Sequence, residues 1–141
     1  MPICHGGLGG GALFISTEGA PPTGRLLDMA STYAHRYPDV FGGLNPCDNV
    51  YVDVVDSVND QLAVVASRIP TFLASPLGHG IKLVVIDSIA SLFRVEFDVC
   101  DSMKRSVAAI SHGAALRKIS SDFNVAIVVT NQVGAMQVFV Y

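Results

Sequence analysis

The chain has 141 residues, a length that suits one domain. Half of the residues are hydrophobic and 15% are charged, enough for a buried core and for sheet strands covered on both faces. A net charge of −3 excludes nucleic-acid binding by bulk electrostatics, so any DNA contact must come from a local basic cluster or from neighbouring subunits.

No apolar run reaches the roughly 18 residues that a membrane span requires. Met1 to Gly11 has neither a basic leader nor a long apolar stretch, which argues against a secretory signal. Cys4, Cys47 and Cys100 lie far apart with no CxxC pair, a pattern of reduced intracellular thiols. His5, His35, His79 and His112 are equally scattered and give no metal-ligand spacing.

In chain order, glycines 6–11 read as a flexible loop leading into an apolar strand at 12–17. Glu18-Gly19-Ala20-Pro21-Pro22 stops that strand, because consecutive prolines cannot continue a central ladder. Leu26, Leu27, Met29, Ala30, Tyr33 and Ala34 are spaced for a helix over 25–36. After the turn at Asn45–Asn49, the β-branched run 50–55 predicts a second strand.

Ser57 is placed to cap a helix running to about Phe72, with Leu62, Val65, Ala66 and Ile69 inward and Pro70 kinking or ending it. Residues 75–80 form a loop, and 82–88 a third strand that is apolar until Asp87-Ser88. A long helix over 103–123 places Val107, Ile110, Ala114 and Ile119 at helical spacing, and 125–132 is a fourth strand. Strands alternating with helices define an α/β domain with a parallel sheet.

Ligands of open parallel sheets gather at the carboxyl ends of strands. Three strands here end there in polar residues: Thr17-Glu18, Asp87-Ser88 and Thr130-Asn131-Gln132. One carboxylate suits an attacking water, another suits Mg²⁺ held through its water shell, and an amide suits sensing of a terminal phosphate. Each strand end taken alone reads better as a turn or a helix cap; three in one chain shift the balance toward a site, one that fits nucleoside triphosphate hydrolysis. A phosphate-binding loop, GxxxxGK[ST], should complete it. Lys82, Lys104 and Lys118 are the only lysines, and none follows a glycine.

The run from Gly10 through Ala12-Leu13-Phe14-Ile15-Ser16-Thr17-Glu18 to Gly19, with Arg25-Leu26 beyond, resembles the catalytic-glutamate strand of the eukaryotic RecA-like recombinases. Leu83–Arg94 resembles their Walker B strand and the segment after it, and Ile127–Val133 their phosphate-sensing strand. Gly7–Gly10, Asn45–Val50 and Phe93–Asp98 are most similar to the paralogues of the X-ray-repair cross-complementing type. The likeness covers residues 6 to about 133.

This resemblance implies a partial RecA-like P-loop NTPase core, a parallel sheet flanked by helices with the phosphate-loop strand missing, as one incomplete domain over 1–141. It implies strands in the spatial order second, first, third, fourth. It implies a nuclear DNA-repair protein of homologous recombination that uses ATP and Mg²⁺, binds DNA, and partners another RecA-like recombinase paralogue. Glu18 would polarise the attacking water, Asp87 would bind Mg²⁺ through water with Ser88 supporting that shell, and Gln132 would report the γ-phosphate. Arg94, Lys104 and Arg105 fall where the first DNA-binding loop begins and the next helix starts, although this stretch lacks the recombinase glycines. Against the family pattern, the phosphate-binding segment would precede residue 6, and residues 134–141 do not match, so the chain is expected to be truncated at both ends and unable to bind ATP alone. Two other readings compete: a non-catalytic interaction module pairing with another recombinase paralogue, and an unrelated α/β nucleotide enzyme.

Overall fold

The computed structural model describes residues 3, 6–89 and 102–131, without the side chains of 102–106, 108 and 109. Four strands, β1 (Gly11–Ser16), β2 (Val50–Val54), β3 (Ile81–Asp87) and β4 (Ala126–Val129), form one sheet in the order β2-β1-β3-β4. Every pairing is parallel, with Ile15 opposite Asp53 on one side and Ile86 on the other. The expected strand order holds, and the 81–87 strand is interior.

The helices are α1 (Thr23–Arg36), α2 (Pro38–Phe41), α3 (Val58–Ala63), α4 (Ile69–Ala74) and α5 (Ser102–Phe123). Ser57 caps α3 as the sequence predicts, its hydroxyl accepting the Asp60 N–H at 3.1 Å. Asn45 performs the same task for a short 3-10 turn at Pro46–Asn49, accepting from the Cys47 N–H at 3.0 Å.

Pro70 neither ends nor breaks the helical run. A widened π turn at Val64–Arg68 links α3 to α4, and Pro70 is the second residue of α4. A proline lacks an N–H and crowds the carbonyl four residues back; the wider preceding turn absorbs both defects. The buried face therefore differs from the predicted one. Val58, Gln61, Val64, Val65, Ile69 and Leu73 point inward, while Leu62 and Ala66 are exposed.

α5 shows a similar correction. His112, Leu116 and Ile119 are buried, whereas Val107, Ile110 and Ala114 face outward, Ile110 at 70% exposure. α1 buries only Ala30. It packs on α2 and the 46–49 turn rather than on the main core.

The core lies on one face of the sheet. Leu13, Ile15, Val84 and Ile86 meet Val64, Val65, Ile69 and Leu73 of the α3–α4 run and Leu116 and Ile119 of α5. Truncating a residue such as Ile86 to alanine would cost about 2–5 kcal/mol. Among the described residues the opposite face is not closed: Phe14, Leu83 and Val85 are half-buried, and Val52 and Val128 are exposed. Coverage of both faces, expected from composition, is thus not what the described residues show. Right-handed crossovers explain the asymmetry. The steps β2 to β3 and β3 to β4 run the same way across the sheet and bring α3–α4 and α5 to one side, while β1 to β2 runs the other way and sends α1 opposite.

The glycines near the start are also more than a flexible lead. Gly11 is the first residue of β1, and a Cβ there would strike the Asn49 carbonyl of the neighbouring strand's entry. At Gly78, a Cβ would fall on the Phe72 carbonyl, so the α4-to-β3 turn closes only around glycine.

Candidate nucleotide site at the carboxyl edge

The chain steps from β1 outward to β2, then returns past β1 to β3. The strand order therefore reverses between the carboxyl ends of β1 and β3, where open α/β sheets form their ligand crevice. Glu18 and Ser88 meet there. The Ser88 hydroxyl donates to Glu18 Oε1 at 2.7 Å.

The backbone around this pair is tightly tied. The Thr17 N–H donates to the Asp87 carbonyl at 2.8 Å, extending the β1–β3 ladder past its last paired residues. The Thr17 hydroxyl donates to the Ser88 carbonyl at 2.7 Å and accepts the Ser88 N–H at 2.9 Å. One buried side chain thus bonds both backbone polar groups of one buried residue, where an unmade hydrogen bond is expensive. The peptide between Asp87 and Ser88 is cis.

Beyond β1, the Ser16 hydroxyl donates to the Gly19 carbonyl at 2.9 Å, and Gly19 takes φ +90°, which turns the chain away from the edge and leaves Glu18 exposed.

Asp87 ends β3 half-buried, and its carboxylate accepts a hydrogen bond from the Thr130 hydroxyl. Thr130 also joins the β3 and β4 ends through its backbone: its N–H donates to the Ile86 carbonyl and its carbonyl accepts the Ile89 N–H, both at 3.0 Å. Glu18, Asp87 and Ser88 are thereby brought to one edge. Gln132 and Arg94 lie outside the described residues. Lys104 and Arg105 lie near the start of α5, and their side chains are outside the description too. Among the described residues, no cluster of three or more histidine, cysteine or acidic side chains is arranged for a metal, and no helix is long and apolar enough to cross a membrane. The donor set at the edge is carboxylate and hydroxyl oxygen, which suits a hard cation such as Mg²⁺ better than a thiophilic metal.

Sequence reasoning missed two contributors. Thr17 was visible only as the residue before Glu18. Gln61, buried to 1% exposure, donates from Nε2 to the Ile89 carbonyl at 3.0 Å. Its signal was spacing: Val58, Gln61 and Val65 fall three and four residues apart on one helical face.

The parallel four-stranded sheet with its flanking helices, together with the family match that follows, makes this a partial RecA-like core. The Rad51 family profile matches residues 1–138, extending past both limits expected from the motifs, and the chain belongs to the Rad51 family. It is 40% identical over 138 residues to the DNA repair protein XRCC3 homolog of Arabidopsis thaliana, covering 94% of this chain and 45% of that protein. It is 33% identical to DNA repair protein XRCC3 of Bos taurus, with 94% and 39% covered. It is 30% identical to the DNA repair and recombination protein RadA of Metallosphaera sedula, with 96% and 39% covered. The chain therefore spans less than half the length of these curated relatives.

Proposed function

We propose that this protein acts in the nucleus in DNA repair by homologous recombination, as a RecA-like paralogue that binds ATP and DNA together with another recombinase paralogue. The observation that carries the reading is the Glu18–Ser88 pair at the switch point beside Asp87, in a chain of the Rad51 family.

In this reading Glu18 accepts a proton from, and orients, the water that attacks the terminal phosphate. Asp87 would hold Mg²⁺ through its water shell. When bound, the ion neutralises charge on the phosphate oxygens. Gln132, directly after Asn131, would answer to the γ-phosphate. Arg94, Lys104 and Arg105 would supply local positive charge for DNA in a chain whose net charge is −3. The 141 residues contain no GxxxxGK[ST] motif, so they supply the water and metal side of the site and not the phosphate cradle.

A second reading, a non-catalytic module that pairs with another paralogue, is favoured by the position of β4 at the edge of the sheet. Disrupting the gene tests the cellular role. Repair of a site-specific double-strand break from a homologous template should fall severalfold and return with the wild-type gene. Unchanged repair would sink the reading.

A further inference from the structure

We propose that Gln61 is a positioning residue for the Glu18 carboxylate, acting from α3 through the turn that follows β3. The proposal rests on the reading of Glu18 as the carboxylate that works on water. The turn at 87–89 is held from three directions. Thr17 clamps the Ser88 backbone from β1, Thr130 takes the Ile89 N–H from beyond β4, and Gln61 takes the Ile89 carbonyl from the helical layer. Ser88, at the centre of this turn, carries the hydroxyl that fixes Glu18 Oε1. Gln61 is the side-chain hydrogen bond that ties the turn to α3, beside the Ile89 side chain that packs against the core.

Gln61 is an unfavourable choice for packing alone. Its Oε1 is buried and has no hydrogen-bond partner. A buried amide with one half unsatisfied is disfavoured against an apolar side chain of the same shape. Its neighbours on the buried face are Val58, Val64 and Val65, so methionine or leucine would suit the core better. What the amide supplies, and they cannot, is the donor to Ile89.

The test uses the 141-residue chain carrying Val128→Lys to keep it monomeric, with Gln61→Met and Gln61→Leu in that background, and amide exchange and the ¹³C resonance of the Glu18 carboxyl read by NMR. In Gln61→Met the melting temperature should stay level or rise. Exchange at the Ser88 and Ile89 amides should accelerate at least about tenfold, with Val84 and Ile86 unchanged. The Glu18 resonance should move toward its position in Ser88→Ala. Gln61→Glu, kept protonated by burial, retains a donor and should restore slow exchange. A lower melting temperature with Ser88 and Ile89 exchange and the Glu18 resonance unmoved, in whichever apolar variant folds, would reduce Gln61 to a structural residue and overturn the proposal. Neither readout involves nucleotide, so its failure is separable from failure of the ATPase reading, which is scored by the effect of Glu18→Gln on turnover in a chain supplied with a phosphate-binding loop.

Discussion

The hydrogen bond from Ser88 Oγ to Glu18 Oε1, 2.7 Å long, joins residues 70 positions apart and draws the ends of β1 and β3 into one site. Its geometry depends on Thr17, whose hydroxyl both donates to and accepts from the Ser88 backbone.

Thr17→Val should therefore be costly. It removes both hydrogen bonds that the Thr17 hydroxyl makes to the buried Ser88 backbone, a loss of about 2–4 kcal/mol. Thr17→Ser keeps the hydroxyl and should cost under about 1.5 kcal/mol. Urea denaturation of both variants decides the matter. Equal stabilities would show that the clamp contributes little.

Burial holds the His112 imidazole below the ordinary histidine range, because desolvation disfavours its charged form. The unfolded chain, with a pKa near 6.5, then takes up a proton before the folded chain does. Stability should fall as pH drops from about 6.5 toward the lowered folded value, and level off below it. In His112→Leu this part of the pH dependence should vanish. A wild-type stability flat between pH 7 and 5 would contradict the argument.

β4 is an edge strand, and no described strand pairs with its outer side. Val128 and Val129 are 48% and 44% exposed. Unpaired edges with apolar side chains invite pairing with another chain. The 141-residue chain alone should self-associate at micromolar concentration, and Val128→Lys should raise the monomer fraction. Sedimentation velocity reads the outcome directly; a wild-type chain monomeric at high concentration would remove the concern.

ATP turnover by the 141-residue chain alone should not exceed background. Phosphoryl transfer needs the triphosphate positioned, and Glu18 and Asp87 supply negative groups that repel it unless the phosphates are cradled. A chimera placing a strand, a GxxxxGK[ST] loop and a helix ahead of residue 6 should gain turnover. Glu18→Gln in that chimera should lower it at least about a hundredfold. Micromolar Mg·ATP binding with Glu18-dependent turnover by the unmodified chain would refute the prediction.

Much of this architecture is legible in local chemistry. Apolar runs broken by Pro21-Pro22, Asn45-Pro46 and Gly78 delimit the strands, and the Asp87-Ser88 and Thr17-Glu18 strand ends mark the candidate edge, since a parallel sheet has only one carboxyl edge. Helix faces are less legible. Leu62 and Val107 have the right spacing and polarity for a core, yet they are exposed. The π turn at 64–68 rotates one helical face, and α5 buries His112 in preference to Ile110. Periodicity presumes ideal turns, and it does not say which side of a helix meets the sheet.

The sequence by itself determined the strands, their parallel α/β order and the carboxylates at their ends, because these follow from β-branching, turn residues and the direction of the chain. Only the tertiary structure decided that Ser88 addresses Glu18, that Thr17 clamps Ser88 and that Gln61 reaches Ile89. Those contacts cross 28 to 71 residues of chain, and no local preference specifies a hydrogen bond at that separation.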